Sequence, residues 1–153
     1  MQTRNIRSVA GYIRGLWDWT FLNECFAPTP IKVADVDGIV ERKGHFLWIE
    51  AKPEKNNGIY EVTKGQRITH DALIKNGAFT VICVWGMTDT DLKSEYLNRS
   101  DTTAMICALG EPSPTYVRVL YEDGRTKEGP TTKQEFQKTV RGWFEWANKK
   151  PKK

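Results

Sequence analysis

The sequence predicts a mixed α/β (α+β) fold, a mixed sheet flanked by helices, and three observations carry that prediction. Residues 32–52 alternate apolar and polar with period two around a polar Lys43-Gly44 turn, the pattern of a β-hairpin. Residues 79–85 form a continuous apolar run of strand length, as a central strand requires. Helical spacing of apolar residues then recurs at 5–17, 63–76 and beyond 130. The 153 residues, 39% hydrophobic and 27% charged, fit one globular domain, expected over 1–148.

In order, Ile6, Val9, Ala10, Ile13 and Leu16/Trp17 predict a first helix, continued or followed by another helical turn up to Phe26. Pro28 and Pro30 stop it and favour an extended chain into the hairpin strands, 32–41 and 46–52. Pro53 ends the second strand. Thr63 opens a helix that runs to about Asn76, with Gly77 as its stop. After the strand at 79–85, residues 86–101 read as a polar loop or a short helix around 92–97. Strands near 103–109 and 115–121 follow, then a turn at Asp123-Gly124 and a short return strand. The last helix starts near Pro130 and places Phe136, Val140, Trp143/Phe144 and Ala147 on one face. Residues 149–153 form a basic tail, expected to fray.

Composition excludes several classes. Three cysteines, Cys25, Cys83 and Cys107, show neither paired nor metal-type spacing, and Cys83 and Cys107 sit in apolar runs as reduced, buried thiols. No apolar run reaches membrane-spanning length, and no signal-peptide core is visible at the start. The expectation is a soluble cytoplasmic protein without a membrane partner. A net charge of +4 and a pI near 9.0 permit a polyanionic partner without demanding one. Six tryptophans suit aromatic packing; Trp143 and Trp146 read as core or interface.

The hairpin carries the chemistry. With the turn centred at Lys43-Gly44, paired residue numbers sum to 87, so Asp37 opposes Glu50 and Asp35 opposes Lys52 on one face. Val36, Val40, Leu47, Ile49 and Ala51 fall on the other, which reads as core. Carboxylates crowded beside a buried surface call for a compensating cation. Lys52 supplies part of it, and clustered oxygens suit Mg²⁺ (or Mn²⁺). His45 and His70, the two histidines, match no zinc pattern. Glu41 lies on the acidic face at the turn end, remote from the cluster.

Asp37…Glu50-Ala51-Lys52, between a helix and a further helix–strand unit, resembles the PD-(D/E)xK nuclease superfamily, in particular its small phage-type and Holliday-junction-resolvase-like members. The resemblance spans roughly residues 5–86. It implies a restriction-endonuclease-like core, here with additional C-terminal strands and a helix, and a Mg²⁺-dependent deoxyribonuclease that acts as an endonuclease, structure-specific or resolvase-like. By that resemblance Asp37, Glu50 and the Ala51 carbonyl bind metal, with Asp35 an extra ligand or the true first carboxylate. Lys52 positions the attacking water. Glu24 is the candidate for an added first-helix glutamate, and Gln66 for the glutamine of the following helix. A DNA partner, a homodimer and a phage-encoded protein in a host cytoplasm belong to the same expectation. One departure stands out: residues 27–32 leave little room for the strand that usually precedes the Asp strand.

Simpler readings accompany these. Thr63-x-x-Gln66 is also a capping box. Lys64 and Arg67 near that helix N-terminus are either phosphate contacts or solvated charge. A nuclease-like fold can also serve a non-catalytic nucleic-acid-binding or assembly protein.

Overall fold

The computed structural model describes residues 19–34, 36–54, 58–87 and 113–153. The chain divides into two compact units, one comprising residues 1–35 and 89–111, the other 36–88 and 112–153. In the first, Trp19–Phe26 form a 3-10 helix that ends before Pro28, where the sequence places the stop. The helix expected over 5–17, the loop or helix at 92–97 and the strand near 103–109 lie outside the described residues, as do Asp35 and Cys107.

The second unit is a five-stranded mixed sheet with two α-helices. Strands β1 (Gly38–Arg42) and β2 (His45–Pro53) form the hairpin. Helix α1 (Lys64–Asn76) leads to β3 (Phe79–Met87), and β4 (Ser113–Leu120), β5 (Thr126–Pro130) and helix α2 (Lys133–Lys149) complete it. Strand order follows the sequence, β1-β2-β3-β4-β5, with β2–β3 parallel and the other pairs antiparallel. The apolar run at 79–85 is thus the central strand, as its composition predicts. Between Trp85 and Gly86 the β3–β4 register shifts. A Cβ on Gly86 would stand 2.7 Å from the Ser113 carbonyl oxygen, so the close approach there needs glycine.

Side-chain alternation assigns the two faces. Leu47, Ile82 and Val119 point to one face and pack with Trp143 and Ala147 of α2. Val81, Cys83 and Trp85 point to the other, where Leu73 and Ile74 of α1 and the preceding Tyr60 and Val62 cover them. The sequence reading put the hairpin's core on a single face. Both faces are covered instead, because β2 lies inside the sheet and a helix packs on each side. Cover thins at the sheet edge and the open end of the hairpin: Val40 of β1 is 40% exposed, Val36 before it 43%, and Ala51 of β2 is exposed as well.

Each helix starts as written in the sequence. Thr63 and Thr132 cap α1 and α2, each with a reciprocal box closed by Gln66 and Glu135. Gly77 ends α1 in the left-handed conformation at φ 78°. The basic tail does not fray. The Lys153 amide donates to the Lys43 carbonyl at 3.0 Å, and its ammonium pairs with Glu122 at 3.2 Å and reaches the Gly77 carbonyl.

Candidate functional site

The hairpin register places the central pair. Gly38 faces Ile49 and Arg42 faces His45, with every pair between them summing to 87, so the next step outward sets Asp37 against Glu50. The two-residue turn enforces this register. Lys43 and Gly44 both adopt positive φ, 54° and 78°, as the turns that match strand twist require. Glu41 stays at this end, accepting the Gly44 amide at 2.7 Å.

β1 begins later than the sequence suggests, at Gly38 rather than near residue 32. The cause lies in Asp37. Its Oδ2 accepts the Ala51 amide at 2.8 Å, taking a donor that a longer ladder would have used. Asp37 is exposed, so its carboxylate clamps the open end of the hairpin while facing solvent.

Glu50 is the opposite case, 6% exposed although charged. A buried carboxylate is tolerated only when paired and hydrogen-bonded. Lys52, two residues on and therefore on the same face, brings its Nζ to 2.8 Å from Glu50 Oε1. Gln66 of α1 donates from Nε2 to the same oxygen.

Gln66 makes the capping contact that the sequence offered and a second contact, to Glu50. Its Oε1 accepts the Thr63 amide at 3.0 Å, completing the capping box, while its Nε2 holds Glu50. A side-chain amide has one acceptor end and one donor end, and here each is used once. The cap fixes the rotamer that delivers the donor.

Two residues that the sequence reading did not assign to the site join this face. His70, one helical turn beyond Gln66, is 3% exposed, and its Nδ1 lies 3.8 Å from the thiol sulfur of Cys83. Cys83 is the β3 partner of Glu50, and Arg118 on β4 is the partner of Cys83. Burial pushes His70 below its usual value of 6.5; Glu50 opposes that shift and Lys52 adds to it. Burial likewise pushes the Cys83 thiol up to about 11, against the pull of Arg118, so it stays protonated and unreactive. Arg118 is held in place by an ion pair with Glu128, by the Tyr60 carbonyl at 3.2 Å and by the Trp85 ring at 5.5 Å. The i+4 spacing of Gln66 and His70 was readable in the sequence. The Glu50–Cys83–Arg118 row was not, since it depends on the register of non-local strand pairs.

The other described candidates are exposed. Lys64 and Arg67 are exposed in the first turn of α1, and neither makes an ion pair among the described residues. Glu24 is exposed on the 3-10 helix of the first unit. Among the described residues no group of three or more His, Cys, Asp or Glu side chains is gathered as a metal site requires; the described acidic pair is Asp37 and Glu50. Comparison of the chain with family models, curated proteins and solved structures finds no match. No helix among the described residues is long and apolar enough to cross a membrane.

Proposed function

We propose that this chain is a metal-dependent nuclease that hydrolyses DNA phosphodiester bonds, on a restriction-endonuclease-like core. One observation supports it above the rest. A solvent-facing aspartate opposes a buried glutamate at the open end of a hairpin, and the glutamate is held by a lysine and a helix-borne glutamine.

The donor set suits Mg²⁺ or Mn²⁺. The hairpin hydrogen bond uses Asp37 Oδ2, and the Lys52 and Gln66 contacts use Glu50 Oε1, so one oxygen of each carboxylate lies outside these bonds. Mg²⁺ characteristically takes one or two carboxylates and completes its shell with water and substrate phosphate. Asp37 and Glu50 would hold it, with the Ala51 carbonyl as a further ligand. When bound, such an ion polarises the phosphate and acidifies a water.

The remaining work belongs to the chain. Lys52, fixed by Glu50, orients the attacking water and offsets negative charge that develops on the phosphate. Gln66 keeps Glu50 in one rotamer, which a site of this kind needs for preorganisation. Lys64, Arg67 and the unpaired amides of the α1 N-terminus attract the DNA backbone. A structure-specific or resolvase-like endonuclease acting as a homodimer is the form we favour.

Incubation with linear, circular, single-stranded and branched DNA, in Mg²⁺ or Mn²⁺ and in chelator, tests the reading. The expected result is metal-dependent cleavage with preference for one DNA shape. Salt-dependent DNA binding without cleavage of any substrate would favour the non-catalytic reading instead. The engagement of Glu50 Oε1 by both Lys52 and Gln66 gives that alternative its physical basis.

A further inference from the structure

At the hairpin side the sheet ends on β1, whose outer edge has no strand partner among the described residues. We propose that this edge pairs antiparallel with the β1 of a second copy of the chain, joining two five-stranded sheets across a dyad at Val40.

The backbone of β1 is set for such pairing. The Phe46 amide donates to the Ala78 carbonyl, so β2 turns residues 46 and 48 toward β3 and residues 45, 47 and 49 toward β1. Directly opposed residues in an antiparallel pair either bond each other or both face away. Arg42, Val40 and Gly38 therefore bond inward, while Ile39 and Glu41 present their amides and carbonyls outward. Such an open row is normally blunted by charge, proline or a bulge. At its centre β1 instead presents Ile39 and Val40, 54% and 40% exposed, one on each face. Beside Val40 a groove of about 510 Å³ lies between the sheet edge and α2, lined by Phe136, Val140 and the exposed Phe144.

The edge is complementary to itself in one register. A dyad at Glu41 would oppose that carboxylate to its own copy, and a dyad at Ile39 would oppose Asp37 to the partner's Glu41. Like charges directly opposite destabilise a strand pair. With the dyad at Val40, the two valines meet, Ile39 exchanges its outward bonds with the partner's Glu41, and no like charges are opposed. Arg42 then lies opposite the partner's Gly38. Nothing in its own chain demands glycine there: its φ is not positive, and a Cβ would meet only the Ile49 side chain, at 3.5 Å. The space above it suits a long arginine from the other copy. The same dyad brings both grooves to the seam, adding apolar area that one short strand pair lacks.

The pairing gives the proposed homodimer its interface. A dyad normal to the sheet leaves both Asp37–Glu50 pairs on one face, with the two Asp37 positions about 20 Å apart at about 3.4 Å per residue. One DNA molecule can then meet both sites; that consequence rests on the nuclease reading, whereas the interface does not.

Sedimentation equilibrium of the whole chain, in a concentration series reaching about 100 μM, tests the pairing, since an interface of micromolar Kd is nearly saturated there. The expected mass is twice the 17.6 kDa of one chain. Val40→Lys sets like charges across the dyad at an exposed position and is expected to weaken the dimer by about tenfold or more. Ile39→Pro removes an outward amide and none that bonds β2, and is expected to weaken it likewise. Ile68→Lys, at an exposed apolar residue of α1, is expected to leave the dimer intact. Circular dichroism verifies that each variant is folded. The proposal is overturned if the native chain stays a monomer, or if either folded β1 variant dimerises at native strength. Because mass and not cleavage is read, a dimer that cleaves no DNA counts against the nuclease alone, and a monomer that cleaves counts against this pairing alone.

Discussion

The two faces of the sheet are built by different physics. The α2 face is held chiefly by apolar burial: Leu47, Ile82 and Ala147 are fully buried, and Val119 and Trp143 nearly so, with His45 and Thr80 the polar side chains buried beside them. The α1 face buries apolar groups as well, but Glu50, His70 and Cys83 lie among them, with Lys52 and Arg118 partly buried alongside. Burying charge costs stability unless every partner is in place. One face can therefore change with losses in stability alone. On the other, packing and the disposition of charge are inseparable, as a preorganised polar site requires.

The largest contrast in stability should come from Trp143→Ala. It removes an aromatic anchor from the α2 face and should cost about 3–5 kcal/mol in chemical denaturation. Specific cleavage by the remaining folded fraction should be unchanged, since no group on the Glu50 face is touched. Loss of cleavage without loss of stability would break the division between the faces.

A smaller effect separates the two functions of Gln66. Thr63→Ala removes one half of the capping box and should cost about 1 kcal/mol. Gln66→Ala removes both the reciprocal bond and the donor to buried Glu50, so it should cost more, as read by the denaturation midpoint. Equal costs would mean that the contact with Glu50 contributes nothing.

The smallest effect is a pH slope from His70. Its folded pKa is depressed from 6.5 by burial, so the unfolded chain takes up the proton first as pH falls. The stability it contributes is complete above the unfolded value near 6.5 and is lost progressively as pH drops toward the folded value. Denaturation midpoints measured across that range should decline, and His70→Asn should flatten the decline. An unchanged slope in the variant would assign the pH dependence to other groups.

Much of this architecture was legible because it is encoded locally. The Lys43-Gly44 turn fixed the hairpin register, Thr63 and Gln66 marked a helix start, Gly77 marked its end, and the run at 79–85 announced a central strand. What escaped depends on long-range pairing. The length of β1 is limited by the Asp37 side chain capturing the Ala51 amide, which no periodicity reveals. The tail is tied down by Glu122 and the backbone of Lys43 and Gly77, partners distant in sequence. His70 and Cys83 became neighbours of the acidic site through the parallel β2–β3 register and the packing of α1. Sequence reasoning offered Gln66 as a cap or as a site residue, whereas its amide has two ends, one closing the cap and the other bonding Glu50.

Asp37→Asn offers the most direct test of the proposed nuclease. The asparagine keeps an oxygen that can accept the Ala51 amide, so the hairpin clamp survives while the charge is removed. The measurement is Mg²⁺-dependent DNA cleavage by native and variant chains, with the denaturation midpoint as a control for folding. The account predicts an unchanged midpoint and a fall in cleavage of about a hundredfold or more, the scale of losing a group that stabilises transition-state charge. Cleavage at the native rate by a folded Asp37→Asn chain would contradict it.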